Sequence, residues 1–105
     1  MMRLTFILAA ALSLSTSALA QEATRAFENV KGDVYRFQND FHYSLVVATS
    51  EGTVVVDPIN ADAATWLKEN LAQITDQPVT HLIYSHSHGD HASGGAVLQA
   101  PNVIA

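Results

Sequence analysis

Apolar and polar positions alternate in a strand-like pattern over the first part of the chain. Segments 26–30 and 34–37 are short and rich in aromatic and β-branched residues, and a Lys-Gly-Asp turn separates them. Segments 43–49 and 53–57 form the next pair. The second of these is a continuous β-branched run, which predicts a strand buried on both faces. Pro58 then ends the run.

A helical pattern follows this strand-rich part. Asn60 or Asp62 can cap a helix that we predict to run to about Ile74. Its apolar residues have the spacing of one helical stripe: Ala64, Leu67, Leu71 and Ile74. A short helix and a last strand, separated by Pro101, are predicted near the end. The order of these elements predicts an α/β (α+β) fold.

The segment that carries chemistry follows a predicted strand at residues 80–85. It holds two pairs of potential metal ligands, His86 and His88, then Asp90 and His91. Residues i and i+2 of an extended segment point to one side, so the first pair can bind one ion at roughly 2.0–2.1 Å. Gly89 allows a bend that directs the second pair to another ion, roughly 3.5–4 Å away in two-metal hydrolases. Asp90 can also orient the nucleophile, which gives it a predicted catalytic role.

Three other residues, His81, His42 and Asp57, are candidates for parts of this site. His81 starts the ligand-bearing strand, far from the loop, and a structural role is the simpler interpretation. His42 lies in a hairpin loop that could reach the mouth of a site, but it is not included among the predicted ligands. Asp57 is predicted to support a ligand, because ligating imidazoles usually donate their second N–H to a carboxylate or carbonyl. The alternative, that Asp57 accepts hydrogen bonds from nearby backbone amides, stays open.

Residues 86–91, HSHGDH, resemble the His-x-His-x-Asp-His signature of the metallo-β-lactamase superfamily. Residues 53–57 are similar to the family's strand that ends in an aspartate near the metals. The resemblance implies a first metal on His86 and His88. It implies a second metal on Asp90 and His91, with Asp57 as a supporting residue behind the ligands. Within the family's true β-lactamases, the third subclass is the one that keeps the last His of the signature.

The resemblance also implies residues that the chain lacks. The family pattern needs a third His on the first metal, an Asp that bridges both metals and a last His on the second, but no His, Asp, Glu or Cys follows His91. The family fold is an αββα sandwich of two similar halves. We therefore expect residues 21–105 to be the N-terminal part of a metallo-hydrolase domain, an incomplete first half. We also expect the reading frame to continue beyond Ala105.

Residues 1–20 have the pattern of a secretory signal peptide. Arg3 gives a positive start, residues 4–14 are mostly apolar, and Ala18-Leu19-Ala20 is a small-residue cleavage site. The apolar core is shorter than the about 20 residues of a membrane span. We expect cleavage after Ala20, a periplasmic or secreted protein, and no membrane association afterwards.

Charge and composition exclude some classes of binding partner and of chemistry. All ten acidic residues but only four of the five basic ones follow residue 20, so the mature part carries about −6. This balance gives no electrostatic basis for binding nucleic acid. The absence of cysteine excludes thiolate catalysis and Cys-type zinc sites from this chain.

The predicted function is that of an exported zinc-dependent hydrolase acting on a small molecule. Zinc lowers the pKa of its bound water to about 7, so metal-bound hydroxide can attack an ester, thioester, lactone or lactam. Two zinc ions are expected in a complete domain. The alternatives are an iron-dependent sulfur dioxygenase on the same scaffold and a non-catalytic metal-binding fragment. Oligomeric state and substrate are left open.

Overall fold

Within the described residues, six strands form one sheet in the order in which they occur along the chain. The computed structural model describes residues 22–105, so the predicted signal peptide lies outside the described residues. The strands are β1 (Arg25–Lys31), β2 (Val34–Asn39), β3 (His42–Thr49), β4 (Gly52–Val56), β5 (Val79–Ile83) and β6 (Asn102–Ile104). Strands β1 to β4 pair antiparallel, whereas β4, β5 and β6 pair parallel. This mixed sheet with its helices confirms the predicted fold class.

Two α-helices accompany the sheet in the part of the chain that the structure describes. Helix α1 (Ala61–Asn70) continues into a 3₁₀ turn at Leu71–Gln73, and helix α2 (Gly89–Ala92) precedes a second 3₁₀ turn at Gly95–Leu98. The Asn60 side chain accepts a hydrogen bond of 2.8 Å from the Ala63 amide, which confirms one of the two predicted caps. None of the helices within residues 22–105 has the length and apolar character needed to cross a bilayer.

Helix α1 covers one face of the sheet. Trp66 stacks on Phe37 of β2, with ring centres 5.7 Å apart and planes 11° apart. The core residues of sheet and helix form one buried cluster, which includes Phe37, Val46, Val55, Ala63, Ala64, Leu67 and Leu82. Ala64 and Leu67 of the predicted helical stripe therefore lie on the buried face of α1. The helix ends at Asn70 rather than at the predicted Ile74, so Leu71 lies in the 3₁₀ turn and the half-buried Ile74 follows it.

The opposite face carries an apolar row across four strands. Paired positions along this row are Leu45, Val56, Ile83 and Ile104. Leu45 and Ile104 are 43% and 51% exposed. The prediction that β4 is buried on both faces is wrong for the described residues. Thr53 and Val55 are fully buried under α1, but Val54 and Val56 on the other face are only half-buried.

A strained turn joins β4 to α1. Asp57 and Ile59 adopt positive φ angles of 60° and 71°, which cost of order 1–3 kcal/mol for a residue other than glycine. The Asp57 amide donates to the Ile83 carbonyl at 2.9 Å, and the Ile59 amide donates to the His91 carbonyl at 2.8 Å. The turn therefore ties the end of β5 to α2, the two segments that carry the predicted ligands.

Gly94 allows the segment after α2 to approach the start of α1. It has φ of 80°, and a Cβ at this position would lie 2.3 Å from the Ala61 amide nitrogen. Such a contact with the backbone cannot be relieved by a side-chain rotation. The close approach therefore fixes the position of α2 against the core.

We predict that Gly94→Ala lowers the free energy of unfolding of the full-length protein by roughly 2–5 kcal/mol. About 1–2 kcal/mol comes from the left-handed conformation, and about 1–3 kcal/mol comes from overpacking. Gly32→Ala is the matched control, because Gly32 has φ of 53° but no atom within 4 Å of its Cβ position. Urea denaturation measures both variants, and equal losses of stability would contradict the close-approach argument.

Candidate metal centre

Three of the predicted ligands lie together at the carboxyl end of β5. The His86 ring centre is 4.8 Å from that of His88 and 4.8 Å from that of His91. The His88 carbonyl accepts hydrogen bonds from the His91 amide at 3.0 Å and from the Ala92 amide at 2.9 Å. These bonds form the first turn of α2, which brings His91 back towards the other two imidazoles.

Asp57 reaches the predicted ligands through Ser85. One carboxylate oxygen accepts a hydrogen bond of 2.9 Å from the Ser85 amide, and the other accepts one from the Ser85 hydroxyl. The same hydroxyl oxygen is 2.7 Å from His86 Nδ1, whereas Asp57 itself is 4.0 Å from that nitrogen. Sequence reasoning placed Asp57 behind the ligands but did not single out Ser85, which forms the link.

A second group of potential metal ligands lies beside the first. Within residues 22–105, the ligand atoms of His42, Asp90 and His91 all lie within 4.8 Å of one another. His42 Nε2 is 3.1 Å from Asp90 Oδ2, and His91 Nε2 is 3.7 Å from the same oxygen. His91 Nδ1 is buried and has no hydrogen-bond partner among the described residues. This is the densest convergence of potential ligand atoms that the described part of the chain contains.

The surroundings of Asp90 favour its ionised form. The hydrogen bond from His42 lowers the pKa of Asp90 below its ordinary value and outweighs desolvation, which acts in the opposite direction. Asp90 is therefore a carboxylate at neutral pH, which is the form that binds a metal ion.

His42 is the residue of this site that the sequence prediction omitted. In the antiparallel pair of β3 and β4, Leu45 lies opposite Val56, so His42 extends beyond the end of β4, three residues at roughly 3.4 Å each. The carboxyl ends of the parallel strands β4 and β5 lie at this edge, where open α/β sheets commonly bind ligands. Only the register of β3 against β4 reveals this position. His81, by contrast, contacts Thr80 Oγ1 at 2.9 Å near the start of β5.

Comparison with known proteins gives the family that this chain matches and solved structures of similar fold. The family described as the Metallo-beta-lactamase superfamily matches residues 38–104. No curated protein matches the chain. Among solved structures, the metallo-β-lactamase MIM-1 from Novosphingobium pentaromativorans is 28% identical with a TM-score of 0.63, and the match covers 72% of this chain and 30% of that one.

Two further structures share the fold at lower identity. BJP-1, a subclass B3 metallo-β-lactamase of Bradyrhizobium japonicum, is 20% identical with a TM-score of 0.60, over 72% of this chain and 31% of that one. A double mutant of the sec-alkyl sulfatase PisA1 is 23% identical with a TM-score of 0.62, over 70% of this chain and 12% of that one. The chain thus spans less than a third of the length of each of these proteins.

The family match extends from β2 to β6 and includes every predicted ligand, together with Asp57 and His42. The six-stranded sheet and its helices correspond to the first half of the family's fold. With the His-x-His-x-Asp-His segment at the end of β5, these matches show that the chain belongs to the metallo-β-lactamase superfamily.

Proposed function

We propose that this chain is part of an exported, zinc-dependent hydrolase of small molecules. Membership of the superfamily supports a metal-dependent hydrolase. The observation that carries the proposal is the convergence of the predicted ligands at one end of the sheet: His86, His88, Asp90 and His91. Imidazoles with a carboxylate are ligands that suit zinc.

The contacts of His86 occupy its Nδ1 atom and leave Nε2 free for a metal. A carboxylate only accepts hydrogen bonds, so the single hydroxyl proton of Ser85 is donated to Asp57. His86 Nδ1 must then be the donor in its contact with the Ser85 oxygen. When this imidazole is neutral its lone pair is on Nε2, one of the two ring nitrogens through which histidines bind metals. His86 would hold the first metal together with His88.

Asp90 and His91 would hold the second metal. A zinc ion, when bound, lowers the pKa of water to about 7 and polarises the bond to be hydrolysed. The ionised Asp90 can accept a hydrogen bond from the attacking water and so orient it towards the substrate. The proposed reaction is hydrolysis of an ester, thioester, lactone or lactam bond. Sulfate esters should also be tested as substrates, because one structure of similar fold is named a sec-alkyl sulfatase.

We predict that His86→Ala and His88→Ala each lower hydrolysis by the full-length protein more than about 100-fold, because each removes a ligand itself rather than a residue that orients a ligand. His81→Ala is the control, since this histidine lies near the start of β5, away from the ligand loop. The assays use β-lactam, lactone, thioester and sulfate-ester probes, with bound metal measured by mass spectrometry.

Two results of that experiment would contradict the proposal. One is a wild-type protein that retains no metal, and the other is full turnover by His86→Ala. A single bound iron with oxygen consumption and no hydrolysis would instead favour the sulfur dioxygenase.

Ser85→Ala should weaken zinc binding by roughly 10–100-fold, the usual effect of removing a residue that orients a ligand. The substitution removes the acceptor that holds the Nδ1 proton of His86. Ser87→Ala, an exposed serine in the same loop, is the matched control, and Ser85→Thr should restore binding because it keeps the hydroxyl. Competition with a chromophoric chelator gives the affinities. Equal affinities for Ser85→Ala and Ser87→Ala would show that the link through Ser85 has no role in the site.

Export is proposed from the leader pattern of residues 1–20, which lies outside the described residues. We predict that the exported protein begins at Gln21, because the small residues at positions 18 and 20 precede it. Mass spectrometry of the periplasmic fraction measures this terminus. Intact protein that begins at Met1 in the membrane fraction would contradict the prediction.

A further inference from the structure

His42 contacts both predicted ligands of the second metal from outside the family signature. Its Nε2 is 3.1 Å from Asp90 Oδ2, and its ring centre is 5.2 Å from that of His91, with the two planes 65° apart. We propose that His42 is a positioning residue, which holds the Asp90 carboxylate in the orientation that the metal and the attacking water require. The inference rests on the proposed function, because it assigns His42 a role in that same site.

The direction of the hydrogen bond follows from the chemistry of its partners. An ionised carboxylate only accepts, so His42 Nε2 is the donor and Asp90 Oδ2 is the acceptor. The family pattern takes the remaining ligands of the second metal from residues downstream of the signature, so His42 need not bind the ion. It acts on the site through Asp90.

Asp90 needs such a support because its own helix does not provide one. Helix α2 has only four residues, and none of them is buried. The Asp90 side chain is 56% exposed, and the terminal torsion of an aspartate has a broad range. Among the described side chains, His42 is the hydrogen-bond donor to this carboxylate. This bond therefore fixes the plane of the carboxylate, which the backbone of α2 leaves undetermined.

The sheet holds His42 in place for this role. His42 is paired with Asn39 at the end of the β2–β3 hairpin. Asn39 is buried, and its side chain accepts a hydrogen bond of 2.7 Å from Arg25 Nε. Two further hydrogen bonds of 2.8 Å join Asp40 to Thr24, one in each direction. A side chain on a strand supported in this way is positioned more accurately than one on a loop.

Accurate placement of Asp90 matters for the chemical step in particular. A displacement of about 1 Å in a catalytic group can cost roughly 100-fold in rate. Removal of a residue that orients a metal ligand costs roughly 10–100-fold in metal affinity or activity. Because Asp90 orients the attacking water rather than the substrate, loss of the His42 hydrogen bond should lower kcat and leave KM nearly unchanged.

The test compares His42→Leu, which removes the donor, with His42→Gln, whose amide can still donate to Asp90. Both are made in the full-length protein and assayed at saturating zinc with the β-lactam, lactone, thioester and sulfate-ester probes. His42→Leu should lower kcat roughly 10–100-fold and weaken binding of the second zinc by a similar factor. His42→Gln should recover most of both losses. His81→Leu, the same substitution near the start of β5, is the matched control and should keep the wild-type values.

Cobalt(II) in place of zinc gives a readout that does not depend on turnover. The visible absorption bands of the second cobalt report the geometry of its ligands, which include Asp90. These bands should shift in His42→Leu and keep their positions in His42→Gln and His81→Leu. Circular dichroism of the chelated proteins confirms that each variant is folded.

Two outcomes would overturn this inference alone. One is a His42→Leu protein with the kcat, zinc affinity and cobalt spectrum of the wild type. The other is an equal loss in His42→Leu and His42→Gln, which would assign His42 to packing against His91 instead of to the hydrogen bond. A wild-type protein that binds no metal would remove the proposed function and this inference together.

Discussion

The turn at residues 57–59 is the constraint on which the site depends. It ends β4. It also contacts, through different groups, the two segments that carry the predicted ligands, which are the end of β5 and α2. The Asp57 carboxylate binds the amide and hydroxyl of Ser85, and the Ile59 amide binds the His91 carbonyl. Two residues in this turn have positive φ, an arrangement that persists only where the surroundings over-determine it. Ile59 is 1% exposed, so the burial of its side chain helps to hold the backbone in this conformation.

Burial also explains why Asp57 is so closely paired. A carboxylate that is 5% exposed needs hydrogen-bond donors, since an unpaired buried charge costs several kcal/mol. Ser85 supplies two donors, and by giving its proton to Asp57 it becomes the acceptor for His86. The requirement of one buried charge thus selects the tautomer of the predicted ligand His86. Packing against the core and the chemistry of the site are set by the same contacts.

Sequence reasoning succeeded where the information is local. The strand and helix patterns and the Asn60 cap all depend on residues a few positions apart. It failed where burial or proximity depends on which elements pack against each other in the folded chain. Val54 and Val56 read as core residues, but α1 covers only the other face of β4 among the described residues. His42 was omitted for the same reason, because its distance to Asp90 follows from strand register and not from spacing.

The contact between His42 and Asp90 joins two distant parts of the chain. These residues are 48 positions apart in sequence, so their hydrogen bond holds the start of β3 against α2. Closing a loop of that length costs conformational entropy, which the packing of the folded chain must offset. His86 and His88, by contrast, are only two residues apart on one segment. The position of Asp90 therefore depends on the tertiary fold, whereas the spacing of His86 and His88 is set by the local backbone.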